Sequence, residues 1–300
     1  MSVNPLESFS NLARFEAKAQ LKWHIPPGWS AFDWLWSGFS TRQGGKSVVF
    51  LPDEEIPAGL PAPSRSGELN LGFTAHDRSE IVLENRLRFA ESVTGSRATP
   101  MVTVRQVHSN CSVTVQGAAG LESPIPEADG LITSQPGLLL AIQTADCIPV
   151  LVADVESRVV AAFHAGWRGT VERIVEMGVK RMQSEFGCRP ESLRAAIGPG
   201  IGACCYAVGS EVHDRFNQNF DYAAALFKHR HERDSAEPAL HLDLREANRR
   251  QLLDAGLAEN AVSLVGGCTS CHPELYFSHR ASGGRTGRLM AVIGIRPGVV

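Results

Sequence analysis

The sequence predicts one α+β, or mixed α/β, domain, and three observations lead there. Leu138–Ile142, Ile148–Ala153 and Val159–Phe163 are continuous apolar runs with the length and branching of strands buried on both faces. Strand runs and helical periods interleave along the chain, but not in the strict alternation of a doubly wound sheet. No internal repeat and no domain linker divides the 300 residues, a length that allows one large domain or two small ones with a sizeable core.

Composition narrows the function classes. An apolar share of 43% and a charged share of 20% are those of an ordinary globular protein. The net charge of −3 argues against a nucleic-acid or membrane-surface binder. No apolar run approaches the roughly 20 residues of a membrane span. The N-terminus carries Glu7, Arg14, Glu16 and Lys18 where a secretory signal would be apolar. The seven cysteines are odd in number and irregularly spaced, which suits a reduced cytoplasm better than a disulfide framework.

In chain order, residues 1–20 scatter Leu6, Phe9, Leu12 and Phe15 among charges, as in a short surface helix or disorder. Trp23, Trp29, Trp34 and Trp36 precede Phe39 and predict a buried first strand, core rather than subunit contact. Gly44-Gly45 marks a tight turn or a close backbone approach. Four prolines between Leu51 and Gly67 exclude a sheet ladder and predict a surface loop. Asp77 with Glu80 reads as a capping box for a helix ending at Gly95.

Met101–Val107 alternates as a strand and delivers His108; Ser112–Val115 is a further short strand. Ala128-Asp129-Gly130 is a turn feeding the strand that ends at Thr133. After the three apolar runs, Val171, Ile174, Val175, Gly178, Met182 and Phe186 keep a helical period, with Glu176 and Lys180 paired on the other face. Ala195–Ile197 predicts a strand followed by the glycine-rich loop Gly198–Gly202. Val208, Val212 and Phe216 mark a helix, and the charged stretch 228–237 reads as a solvated loop. Asp243 with Glu246 opens another helix, which ends at Gly256. Val262–Val265 and Leu289–Ile295 are the last strands.

Cys147 and His164 fall at strand breaks or ends, where a rigid scaffold hands side chains to a cleft. With His108 they make two imidazoles and a thiol, the donor set of an open catalytic zinc site, in which Zn²⁺ lowers the pKa of water to about 7. Their spacing matches no local zinc motif. A strand-capping His108, a core Cys147 and a hydrogen-bonded turn His164 would look the same. The residues equally allow a nucleophilic Cys147 activated by a histidine. Asp146 would orient a histidine or substrate, or is a turn residue. Arg168 at a helix start suits an anion, or solvent. Cys268-x-x-Cys271 lacks a second such pair and reads as structural or incidental; adjacent Cys204 and Cys205 read as core. His229-x-His231 lies in the charged stretch and reads as solvated.

Several motifs in fixed order resemble the YfiH family, also called the laccase-domain, multicopper polyphenol oxidase or purine nucleoside phosphorylase family. They are Arg-Gln-Val-His ending at His108, Ala-Asp-Gly-Leu-Ile-Thr at 128–133, Thr-Ala-Asp-Cys at 144–147 and His-Ala-Gly-Trp-Arg-Gly-Thr at 164–170. Ile-Gly-Pro-Gly-Ile at 197–201, Asp-Leu-Arg-Glu-Ala-Asn at 243–248 and the Thr-Gly-Arg-Leu-Met-Ala that begins at Thr286 complete them. The resemblance implies a single α+β domain over 38–300, a sandwich of mixed sheets flanked by helices, with 1–37 as an extension holding the first strand. It places metal ligands on His108, Cys147 and His164, for zinc or copper. It implies phosphorolysis of adenosine, inosine and methylthioadenosine, with adenosine deamination. Purine nucleosides and phosphate would be the partners of a cytoplasmic monomer or homodimer. Cys147, Asp146 and Arg168 are then the catalytic candidates, and Arg42 and Arg280 the substrate-binding ones. The proline-rich segment 48–68 is longer than the family pattern and is expected to reshape the pocket mouth.

Two other functions stay in view. A polyphenol oxidase needs a trinuclear copper cluster built from paired histidine motifs. This chain has ten histidines and one His-x-His, so one His₂Cys site would hold one copper or zinc but not a four-copper relay. A Cys-His hydrolase acting on peptidoglycan precursors, or a metal-stabilised binding protein without turnover, are the remaining readings.

Overall fold

The computed structural model describes residues 21–51, 67–117, 125–231 and 238–299. The N-terminal stretch 1–20, read as a short surface helix or disorder, and most of the proline-rich loop lie outside these residues. The strands, in order, are β1 (Trp23–His24), β2 (Leu35–Ser40), β3 (Gln43–Gly45), β4 (Gly67–Glu68), β5 (Met101–Val102), β6 (Ser112–Thr114), β7 (Gly130–Thr133), β8 (Leu139–Thr144) and β9 (Ile148–Asp154). β10 (Val160–Ala165), β11 (Leu193–Ile197), β12 (Ala207–Val208), β13 (Phe227–His231), β14 (Pro238–Leu242), β15 (Val262–Leu264) and β16 (Leu289–Ile295) follow. The helices are α1 (Ser79–Thr94), α2 (Trp167–Val171), α3 (Ile174–Phe186), α4 (Ser210–Asn219) and α5 (Leu244–Asp254).

Two mixed sheets face each other. One has the order β1-β2-β16-β8-β5, the other β15-β11-β9-β10-β7-β6. Pairing is antiparallel except for β5 on β8, β6 on β7 and β15 on β11. Side chains alternate across each strand, which explains why the apolar runs are continuous. Leu140 and Ile142 of the first sheet, with Leu138 just before β8, meet Leu151, Ala153, Val160 and Ala162 of the second between the sheets. Leu139 and Ala141 turn the other way and pack with Phe89 of α1. Val150, Val152 and Phe163 pack outward against α3, with Val179 and Met182. The fold is thus the α+β sandwich of mixed sheets flanked by helices. Trp29, Trp34 and Trp36 are buried in it, as expected of core residues.

Several local expectations are corrected. Asp77 caps no helix: α1 starts at Ser79, and Asp77 instead accepts from Ser47 and Asn70 at 2.5 and 2.8 Å. The strand predicted over Met101–Val107 stops at Val102. The helix predicted from Val171 is broken at Arg173, which has φ 63° and carries its guanidinium over the Phe220 ring and onto Glu176. The Thr170 carbonyl left at the break accepts from Gln251 of α5 at 2.7 Å. Val208 belongs to a strand, with α4 starting at Ser210. The charged stretch is no plain loop: 227–231 pairs with 238–242 as a hairpin, placing His229 on a strand. Residues 232–237 lie outside the described part. By contrast, Asp243 does cap α5, accepting from the Glu246 amide at 3.0 Å, and Lys180 does pair with Glu176 at 2.6 Å.

Helix α3 crosses β10 where Gly178 faces Phe163. A Cβ at Gly178 would overlap the Phe163 ring, which is wholly buried. Alanine normally favours a helix interior by about 1 kcal/mol over glycine, but overpacking a rigid core costs about 1–3 kcal/mol. Gly178→Ala should therefore lower the thermal unfolding midpoint; a raised midpoint would show that Phe163 is free to move aside.

Candidate metal centre and its cleft

The site forms where the chain twice crosses from one sheet to the other. Residues 103–111 leave β5 of the first sheet for β6 of the second, and 145–147 leave β8 for β9. His108 sits on the first crossing and Cys147 on the second. His164 faces Pro149 in the β10–β9 register, one pair before the strand ends at Ala165 opposite Ile148. The three donor atoms lie within 4.8 Å of one another. Cys147 Sγ is 3.8 Å from His108 Nε2, and the two imidazole centroids are 4.9 Å apart. Gly166 makes this approach possible, since a Cβ there would stand 2.8 Å from His108 Cδ2 and 3.1 Å from Cys147 Sγ.

One buried carboxylate positions two of the three. Asp129 Oδ1 is 2.8 Å from His164 Nδ1. A carboxylate only accepts, so Nδ1 carries the hydrogen and the Nε2 of neutral His164 keeps its lone pair for the site. Asp129 Oδ2 accepts from the Ser109 amide at 2.6 Å, the Ser109 hydroxyl at 2.9 Å and the Val107 amide at 3.2 Å, fixing the backbone on both sides of His108. His108 itself has φ 62° and Asp146 φ 89°, left-handed conformations that hold only when surroundings enforce them.

Electrostatics favour the thiolate. Burial would raise the Cys147 thiol, but the charge of His164 and hydrogen bonds from His108 and His164 outweigh it and pull the group down to about 6. Burial would lower His164, but Cys147 and Asp129 raise it to about 9. Burial also works against ionised Asp129, yet the bonds from His164 and Ser109 bring it down to about 2. Raised to about 9, His164 is an imidazolium at neutral pH, so a bound ion would displace its Nε2 proton while Asp129 keeps Nδ1–H; a thiolate with an imidazole oriented in this way is the donor chemistry that zinc or copper accepts.

The trio opens on a cleft of about 620 Å³, also lined by Asp146, Tyr206, Arg280 and Arg288, within the range of small-molecule sites. Asp146 is 8% exposed and its carboxylate is spoken for: Oδ1 accepts from the Thr269 hydroxyl at 2.6 Å and Oδ2 from the Arg280 amide at 2.7 Å. Arg280 reaches the Ala207 carbonyl at 3.0 Å and lies over the Tyr206 ring. Arg168 is exposed and stacks on Trp167 at 4.6 Å, outside the cleft lining; α2 is only five residues long. Arg42 is also outside it, ion-paired with Glu68 and donating to Pro273 O at 2.6 Å. Sequence reasoning missed Asp129, whose Asp-Gly context reads as a turn. It also missed Arg288, which is half-buried and whose guanidinium donates to the Thr286 and Gly287 carbonyls and pairs with no carboxylate among the described residues.

The family described as multi-copper polyphenol oxidoreductase laccase matches residues 37–296. The chain belongs to this family. A relative named purine nucleoside phosphorylase, from Deinococcus radiodurans, is 42% identical over 257 residues, 86% of this chain and 88% of its own. A relative named adenosine deaminase RL5, from an unknown prokaryotic organism, is 34% identical over 228 residues, 73% of this chain and 84% of its own. The crystal structure of Bacillus licheniformis hypothetical protein YfiH superposes with a TM-score of 0.75 at 30% identity, covering 94% of this chain and 98% of that one. The YfiH resemblance read from the motifs is therefore correct, and so is the fold it implied. Among the described residues, no helix is long and apolar enough to cross a membrane.

Two outcomes follow for the laccase-family centre. Asp129→Asn should weaken metal binding about 10–100-fold in a chelator competition, with the circular dichroism of the fold retained; unchanged affinity would remove Asp129 from the site. In chelator-stripped protein, alkylation of the Cys147 peptide should rise with pH through a midpoint near 6, because the thiolate fraction grows as pH passes the thiol's value. A midpoint near 9 would mean that His164 does not act on Cys147.

Proposed function

We propose that the protein is a metal-dependent purine nucleoside phosphorylase, acting on adenosine, inosine and methylthioadenosine, that also deaminates adenosine. The observation that carries this reading is the donor trio His108, Cys147 and His164 opening on a cleft with two arginines, Arg280 and Arg288, that pair with no carboxylate among the described residues. The names of the relatives support the substrate class. His108, Cys147 and His164 would hold zinc, or copper, and the metal would supply Lewis acidity beside the reacting atoms.

The protein's own groups then divide the work. Phosphorolysis needs phosphate held against C1′ of the ribose: a phosphate oxygen bonds to C1′ as the C1′–N9 bond breaks, and the purine leaves taking up a proton. Arg280 and Arg288 are suited to hold that phosphate. Arg42 and Arg168, the alternatives from sequence, are engaged with Glu68 and with Trp167. Asp146 acts by fixing the Arg280 backbone and the Thr269 loop at the cleft wall. In deamination, water oxygen adds at C6 of adenine and the amino group leaves as ammonia. The laccase reading has less support: of the two metal-competent clusters among the described residues, one has two histidines and the other none.

Purified protein given adenosine and phosphate should release adenine and ribose 1-phosphate; without phosphate only inosine should form. Cys147→Ala should abolish both products. Arg288→Met should raise the KM for phosphate at least tenfold while leaving inosine formation within a few-fold, as expected for loss of one charge-assisted contact of roughly 1.5–3 kcal/mol. Neither product from the zinc- or copper-loaded protein would overturn the reading.

A further inference from the structure

A second sulfur-rich cluster lies outside the trio. Cys204 and Cys205 follow β11 on the loop 198–206; Cys268 and Cys271 follow β15 on the loop 265–278. The sequence treats the first pair as core and the second as structural or incidental. The structure corrects the former, since Cys204 is exposed and Cys205 half-buried, and it brings all four together with every Sγ within 4.8 Å of the others. Cys271 Sγ is 3.4 Å from that of Cys204 and 3.3 Å from that of Cys205.

We propose that Cys204, Cys205, Cys268 and Cys271 bind one zinc ion in a closed tetrathiolate site that clamps these two loops together. Four sulfurs about 2.3 Å from a common tetrahedral centre stand about 3.8 Å apart, close to the separations seen. A disulfide would join two of them and leave the other pair beside it. The backbone is arranged around the sulfurs: the Gly202 amide donates to Cys268 Sγ at 3.2 Å, as amides do to thiolates, and the loops already share a bridge between Gly200 and Cys268 and a bond from the Thr269 amide to Gly200 O at 3.0 Å. Exposed Cys204 and Cys271 leave an entry path. With all four positions taken by protein, the ion has no place for water or substrate, so its role is structural.

The clamp bears on the cleft. Tyr206, next to Cys205, lines it. Thr269, between Cys268 and Cys271, holds the Asp146 carboxylate beside Cys147. The clamped loops therefore supply Ile201 and Tyr206 to the cleft lining and both bond to Asp146, the residue next to Cys147.

The test measures metal, not turnover. Full-length protein purified with reductant and zinc should carry one zinc per chain more than Cys268→Ser/Cys271→Ser, by elemental analysis and native mass spectrometry. Replacing zinc by cobalt should give the intense charge-transfer bands of a tetrathiolate, retained in His108→Ala/Cys147→Ala and absent from the double serine variant. Wild-type protein adds a readout that needs no variant: zinc should protect these four cysteines from iodoacetamide while Cys111 reacts, and chelation should expose them. Equal zinc content in wild type and the double serine variant overturns the proposal, as do equal alkylation with and without zinc, or disulfides among the four in reduced protein. Failure of the nucleoside reaction would leave every one of these readings intact.

Discussion

The candidate centre depends on one interaction, the buried carboxylate of Asp129 shared between His164 and the backbone around His108. A carboxylate with no exposed surface is costly unless charge and hydrogen bonds surround it. Asp129 meets that condition with one imidazole, one hydroxyl and two amides. Such a group adds little net stability compared with an apolar replacement. What it contributes is geometry: it sets the tautomer of one donor and the backbone position of another in a single step. Its own carbonyl accepts the His164 amide at 2.7 Å, so the carboxylate and the strand it orients are locked together.

The sandwich explains why these groups meet. Strands pairing within a sheet hold register, but a chain passing between sheets has no ladder to fix it. Both crossings from the first sheet to the second run through the centre, and each contains a residue in the left-handed region, His108 and Asp146, at an expense of about 1–3 kcal/mol apiece. Asp129 restrains the first crossing. Gln106 also ties it to β8, with its side chain bonded both ways to the Gln143 backbone at 2.8 Å. The second crossing is restrained by Thr269, by the Arg280 amide, and by the Ile201 amide on Asp146 O at 2.7 Å. The strain is local, and the contacts that sustain it come from distant parts of the chain.

That division between local and distant decides what could be read in the sequence. Strands β8, β9 and β10 were legible because burial on both faces leaves an uninterrupted apolar run. Cys147 and His164 were legible because those runs end on them. The cap at Asp243 needs only its neighbour Glu246, and it formed as expected. Asp77 has the same local pattern but found tertiary partners in Ser47 and Asn70, so its cap did not form. Arg173 breaks a helical period that is intact in sequence, because its side chain finds Phe220 and Glu176. Arg42 and Arg288 cannot be told apart by type; Glu68 engages the first and no described carboxylate engages the second. The four cysteines come from two loops whose meeting is set by the parallel pairing of β15 on β11, which no spacing reveals.

The parallel pairing also links the two sulfur sites. The loops leaving β11 and β15 start side by side because their strands do, and Val265 N bonds to Ile197 O at 2.9 Å just before they diverge. From there one loop carries Ile201 and Tyr206, the other Thr269, all toward Asp146 or the cleft. A hydroxyl bonded to an ionised carboxylate contributes about 1.5–3 kcal/mol, and the loop carrying that hydroxyl must stay ordered for the contribution to be realised. These loops are largely irregular between their strands, so their order rests on scattered turn and cross-loop bonds rather than on a ladder. Joining four sulfurs at one ion restrains both loops at a point only one residue from Thr269 and one from Tyr206. Rigidity at the tetrathiolate is thereby delivered to the carboxylate next to Cys147, without any group of the clamp entering the cleft.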